Sequence, residues 1–321
     1  MKMRHAIFAL LISMSLIACA GAPQSKALLN SYTSQNLLSL NSTAVVLDVP
    51  FNPQQDYQCG PAAIATVLQF SGVQTSTHEM IDAVYVPARQ GSLQVEMLAA
   101  PRQYDRLSYV IQPSLEVLLA QIDAGKPVLV MQNLGISTFP QWHYAVAIGY
   151  DLNEKEIILH SGLIEQYRLK LSTFERTWAR ADHWGVVLLT PGELPVAANE
   201  LAYLESLVGY ETVGSGDLVL QAYIKGVERW PNNETLGIGL GNAYFSQSRY
   251  GESIKAYEKV IDAYPNSAAA HNNLAQSLLQ LGRLDDAANH ARLAVNIGGQ
   301  FQAHYVDTLN SILAKATEGK Q

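Results

Sequence analysis

The sequence predicts an α+β domain followed by an all-α repeat domain. Three observations lead there. Between residues 45 and 190, apolar residues recur first at helical spacing and then in short β-branched or aromatic runs. From Asn199 onward the chain reads as helix, and one pattern returns every 34 residues. Between the two, Pro191, Gly192 and Pro195 punctuate the chain. The 321 residues are enough for two domains of ordinary size.

The amino terminus reads as an address. Lys2 and Arg4 precede an apolar run, Ala6 to Ala18, broken only by Ser13 and Ser15. A bilayer span needs about 20 residues, so the run is short for one and suits a secretory signal core. Residues 1–18 are therefore expected to be a leader. The run ends Leu16-Ile17-Ala18-Cys19, which resembles the bacterial lipobox. That resemblance implies cleavage before Cys19 and lipidation of its thiol, an anchor that does not span the membrane. Ala20, rather than an aspartate, implies the outer membrane, with the protein facing the periplasm. The plainer alternative is an ordinary signal cut at a small-residue site. Residues 19–44 are rich in small and polar types and read as a tether, with a weak helix around Leu37 to Leu40.

Val45 to Val49, ending at Pro50, reads as a strand. Cys59 to Phe70 reads as a helix: Ile64, Val67 and Leu68 fall on one face, Pro61 suits the first turn and Gly72 the stop. Ser76 with Glu79 is a capping-box pattern for a second helix, through Val84. Ser92 opens a third, and Ser114 a fourth with Leu115, Leu118, Leu119 and Ile122 on one face and Gly125 as its stop. Then come five strand-like runs: Val128–Gln132, His143–Tyr150, Glu156–His160, Tyr167–Lys170 and Trp184–Leu189. Asp151 to Lys155 fit a hairpin loop between the second and third. Helices followed by an antiparallel sheet make residues 45–190 an α+β domain.

In residues 199–318, Gly241, Tyr244, Tyr250, Ser253, Tyr257 and Val260 correspond to Ala275, Leu278, Leu284, Ala287, Ala291 and Ala294, each 34 positions later. Pro231 and Pro265 keep the same spacing. This resembles the tetratricopeptide repeat, a stacked helix–turn–helix unit. Residues 232–265 and 266–299 are two clear units, a degenerate one precedes them, and 300–318 reads as a capping helix. Such repeats would recruit a substrate or a protein partner.

A net charge of −7 argues against nucleic acid as the main partner. Two cysteines exclude a disulfide scaffold and a cysteine-rich zinc site. If Cys19 carries lipid, Cys59 has no partner, so it is either a buried core thiol or a reactive one. Its neighbours favour reactivity. Gln54-Gln55-Asp56-Tyr57-Gln58-Cys59-Gly60-Pro61 places the cysteine at a helix start, where free N–H groups and the helix dipole lower a thiol pKa. Gly60 leaves room for a substrate backbone, and an upstream glutamine beside the Cys59 N–H would stabilise an oxyanion. For a base, His78, His143, His160 and His183 lie in the α+β region. Alternation places His143 on one strand face with Ala145, Ala147 and Gly149, leaving space before its ring; a core histidine satisfied by a hydrogen bond is the bland reading.

Cys59-Gly-Pro-Ala-Ala, His143-Tyr-Ala-Val-Ala-Ile-Gly-Tyr-Asp and Phe174-x-x-x-Trp178 together resemble the bacteriocin-processing (double-glycine) cysteine peptidases, a branch of the papain-like fold. The resemblance implies a papain-like domain with Cys59 as nucleophile, His143 as base and a glutamine, Gln54 in preference to Gln55, for the oxyanion. It also implies an aspartate that orients the imidazole. Here that place reads Leu159-His160-Ser161-Gly162, so His160 or Ser161 is expected to hold His143 by a neutral hydrogen bond, His160 being preferred. No Gly-x-x-x-x-Gly-Lys loop, His-Glu-x-x-His or Gly-x-Ser-x-Gly occurs, so no ATP, metal or other cofactor is expected. The expected function is a periplasm-facing lipoprotein that hydrolyses peptide bonds. The alternative is a non-catalytic scaffold that binds peptide.

Overall fold

The computed structural model describes residues 21–33, 40–54 and 56–318. The leader, Cys19, Gln55 and residues 34–39, which hold most of the expected weak helix, lie outside the described residues. The chain forms two compact units. One comprises the residues up to Pro101 with Ser108–Leu188 and Pro195–Ala197; the other comprises Arg102–Leu107, Leu189–Leu194 and the chain from Ala198 onward.

The first unit is an antiparallel sheet with helices. Its elements in order are α1 (Pro23–Thr33), β1 (Thr43–Val45), α2 (Cys59–Phe70), α3 (Thr77–Val84), α4 (Gln94–Ala99), β2 (Leu107–Val110), α5 (Leu115–Asp123), β3 (Val128–Asn133), β4 (Trp142–Asp151), β5 (Glu156–Ser161), β6 (Ile164–Lys170), α6 (Leu171–Ala179) and β7 (Gly185–Leu189). The sheet order is β2-β7-β3-β4-β5-β6, and β1 pairs with the last residues of β4. α2 stops as its residue types dictate. Gly72, at φ +87°, donates to Gln69, and Val73 donates to Leu68, satisfying the last carbonyls. α3 carries both bonds of the capping box, between Ser76 and Glu79, and Ser114 caps α5 through the Val117 N–H. Phe174 and Trp178 of α6 are fully buried and stacked, with ring centroids 5.6 Å apart.

Residues 23–33 are not a tether. They form a helix that the first unit holds by its amino end. The Gln24 and Ser25 N–H groups donate to the two carboxylate oxygens of Glu175 at 2.8 and 2.6 Å, and Glu175 is only 1% exposed. The Gln24 side chain accepts from the Leu115 N–H at 2.6 Å and lies 3.3 Å from His183 Nε2. A helix start has unsatisfied N–H groups and a positive dipole end, so a carboxylate there stabilises it. The expected strand Val45–Val49 also shifts, to Thr43–Val45. Asp48 at φ +58° and Pro50, which has no N–H, turn the chain away, leaving one bond from Val46 to Ile148. β2 has no counterpart in the sequence reading.

The second unit is helical: α7 (Glu200–Glu211), α8 (Gly216–Arg229), α9 (Glu234–Ser246), α10 (Tyr250–Ala263), α11 (Ala268–Gln280), α12 (Leu284–Ile297) and α13 (Gln302–Glu318). The 34-residue period is visible in the caps. Asn233 and Ser267 start α9 and α11, each accepting from the N–H three residues on. It is visible in the core too. Tyr257, Leu274, Ala275, Leu278, Ala287 and Ala291 pack in one cluster. Beside it the volumes trade: Gly241 lies under the Tyr257 ring, whereas their counterparts one unit later are both alanine.

Candidate active site

The loop before α2 is fixed at several points. Asn52 Nδ2 donates to Thr66 Oγ1 at 3.0 Å and to Gln69 Oε1 at 2.9 Å, tying the loop to the helix it precedes. The Gln54 N–H donates to the Gly162 carbonyl at 3.3 Å, tying it to the β5–β6 turn. Tyr57 adopts φ +63°, a left-handed conformation that costs a non-glycine residue about 1–2 kcal/mol. That turn delivers Cys59 to the first position of α2. The thiol is half-buried and lies against the backbone of Tyr144, one residue from His143, and against the N–H groups of Gly60 and Cys59 itself.

Cys59 sits on the wall between two cavities. One is a cleft of about 740 Å³, lined by Tyr57, Arg89, Leu93, Met131, Trp142 and others. The other, of about 10 Å³, is bounded by Gln54, Cys59, Thr66, His160, Ser161 and Gly162. It has room for little more than one oxygen atom. The structure therefore brings Gln54 and Cys59 to one small cavity.

The imidazole of His143 bonds to Ser161: Nε2 and Ser161 Oγ are 2.8 Å apart. It does not bond to His160, which corrects the preferred assignment of that residue as the orienter. The reason is register. His160 lies opposite Val146 and so shares the Val146 face, whereas Ser161 falls on the face of His143 and Ala145. A register shift between Ala147 and Gly149 also ends the expected alternation, and Gly149 packs beside Ile158 instead.

His160 has a different task. Its Nδ1 accepts the Gln166 N–H at 3.3 Å, so the ring proton is on Nε2, which donates to the Val49 carbonyl at 3.1 Å. Its ring also meets Phe51, with centroids 5.2 Å apart. Gln166, at φ +54°, is where β6 carries an extra residue against β5. His160 thus clasps that bulge to the loop bearing Gln54.

Two further expectations change. Burial raises the Cys59 thiol above its ordinary value, against the smaller lowering by the N–H groups of Tyr144, Gly60 and Cys59. Burial likewise lowers His143. Helix position alone pointed to a depressed thiol, but desolvation outweighs it, so burial disfavours the charged form of each group. Gly60 does not leave space for substrate. A β-carbon there would overlap the side chain of Ser92, whose loop closes over the start of α2. Gly60→Ala should therefore displace that loop and cost roughly 1–3 kcal/mol, read as a lower thermal midpoint with weakened peptide binding. Among the described residues no group of three His, Cys, Asp or Glu is placed to hold a metal ion.

Residues 46–185 match the Peptidase_C39 like family, and residues 238–301 match the tetratricopeptide repeat. The mouse protein "DnaJ homolog subfamily C member 7" is 38% identical over 61 residues, and its human counterpart 36% over 61 residues. Each match covers 19% of this chain and 12% of that protein, so the chain spans only a small part of these relatives. Among solved structures, a C39-like peptidase from Bacillus anthracis is 15% identical, covering 47% of this chain and 98% of that one at a TM-score of 0.40. The first tetratricopeptide domain of human RPAP3 is 17% identical, covering 38% and 94%, at a TM-score of 0.35. The chain thus carries a region that matches the Peptidase_C39 like family, followed by a region that matches the tetratricopeptide repeat.

Proposed function

We propose that the first unit hydrolyses peptide bonds. The Cys59 thiol adds to the carbonyl carbon of a peptide lying in the cleft, and His143 takes its proton. With Nε2 committed to Ser161, Nδ1 is the ring nitrogen that exchanges this proton. The carbonyl oxygen, now an oxyanion, enters the small cavity, where the Gln54 side chain and the Cys59 N–H donate to it. The C–N bond breaks, His143 returns the proton to the departing amine, and water cleaves the thioester. The observation that carries this reading is the place of Cys59, between the cleft and an oxygen-sized cavity that holds Gln54. Incubation with a library of periplasmic peptides, followed by mass mapping of the ends, tests it. Discrete new termini are expected.

A second reading has its own support. His143 is held by the Ser161 hydroxyl, where the resemblance implies a carboxylate, and the thiol is raised rather than depressed. A domain that binds peptide without turning it over would show retained peptides and no new termini. In either case the repeats bind a polypeptide partner. We place the protein on the outer membrane, facing the periplasm, through lipid on Cys19. Fractionation of Cys19→Ser checks this: the variant should be released from membranes or stay unprocessed.

A further inference from the structure

The first unit exposes large apolar side chains at one end of its sheet, and the chain enters at that same end. Residues 134–141 join β3 to β4, with Asn133 opposite Trp142; Gly162 and Leu163 join β5 to β6, with Ser161 opposite Ile164. Antiparallel strands alternate in direction, so both turns lie at one end. Phe139 and Leu163 are each 76% exposed, Ile136 61% and Trp142 54%. Ile136 and Phe139 exchange backbone bonds of 3.3 and 3.1 Å, so the first turn is closed and ordered. Residues 134–142 and 161–164 include no charged side chain. Single exposed apolar residues are ordinary, but these four, with Leu134 and Ile164 exposed beside them, make a patch on two neighbouring turns.

The entry point follows from the other edge of β3. Met131 donates to Trp184, and Val130 lies opposite Gly185, so His183 falls level with Gln132, near the end of β3 that carries the first turn. Gln24 lies 3.3 Å from His183, which puts the amino end of α1 there. Four peptide steps separate Cys19 from Pro23, a reach of about 14 Å at most. The apolar run Ala6–Ala18 lies immediately before.

We infer that this end of the first unit rests on a lipid bilayer, with Ile136, Phe139, Trp142 and Leu163 entering the headgroup boundary. Uncharged turn tips with a tryptophan beside them suit that boundary. Pro140, Gln141 and Trp142 also line the cleft, so the cleft opens at the lipid surface. The inference extends the peptidase reading by placing its substrate there, as polypeptide lying at or emerging from the bilayer. The apolar turns themselves require neither turnover nor lipid on Cys19.

The test uses the full mature chain from residue 19 carrying Cys19→Ser, and vesicles of phosphatidylethanolamine and phosphatidylglycerol. The chain should co-sediment with the vesicles. Ile136→Ser with Phe139→Ser should weaken partitioning by about tenfold or more while the thermal midpoint stays unchanged. Brominated acyl chains should quench tryptophan fluorescence, and Trp142→Phe should remove that quenching. Absence of partitioning, equal partitioning of the double variant, or absence of quenching would overturn the inference. So would a lipid-free dimer that the double variant abolishes, because the patch would then be a protein interface. Lipidation of Cys19 is read separately, from the intact mass of the native chain extracted from membranes, so its failure leaves this result interpretable.

Discussion

Cys59→Ala and His143→Ala should each lower peptide hydrolysis by at least ~10³-fold, with the fold retained. The two act as a unit, so the double variant should be little worse than either single one. Progress curves on one cleavable peptide, with circular dichroism as the control for folding, check this. The pH dependence follows from the directions of the shifts. The raised thiol ionises only above its ordinary range, and the lowered imidazole stays uncharged at neutral pH. Alkylation of Cys59 by iodoacetamide should therefore climb on the alkaline side, with no plateau extending to acid pH. A plateau would mean a standing thiolate–imidazolium pair, in which burial does not govern the thiol.

A carboxylate introduced at residue 161 should have the opposite effect from one introduced at residue 160. Ser161→Asp sets a carboxylate toward the Nε2 that Ser161 Oγ now contacts at 2.8 Å. It should favour the charged imidazole, raise the His143 pKa and increase kcat/KM by roughly tenfold, since imidazolium forms during thiol attack. His160→Asp removes the bonds to Gln166 and Val49 and turns a buried carboxylate toward the Val49 carbonyl. It should cost about 3 kcal/mol, read as a lower thermal midpoint, and loosen the loop that carries Gln54. Steady-state kinetics and thermal melts of the two variants decide. A gain from His160→Asp without a loss of stability would return the orienting role to residue 160.

The difference between these neighbours was out of reach in the sequence. Alternation within β5 separates residue 160 from 161, but only the pairing register says which of them shares the face of His143. That register depends on irregularities in the partner strands, at Ile148 and around Gln166. Local signals read well. The span of α2, the capping box of Ser76, the stop at Gly125 and the 34-residue period all arise from residues a turn or one repeat apart. Features made by distant partners did not. The start of α1 depends on Glu175, some 150 positions away. The space at Gly60 is taken by Ser92 from another loop. The direction of the Cys59 shift depends on burial, which a helix position alone does not report.

The traded volumes in the repeat core bear on how the solenoid assembles. The two clear units are alike enough to invite slippage, in which a helix docks one repeat out of place. Such a slip would bring Ala275 beneath Tyr257, where the ring already overlaps the site of a β-carbon at Gly241. The reverse slip would set Ala291 over Gly241 and leave the volume of a phenol ring empty. One arrangement collides and the other holds a cavity, each costing on the order of 1–5 kcal/mol. The correct order of units is therefore favoured in the core itself, and the repeats can fold next to their own near-copies without exchanging places.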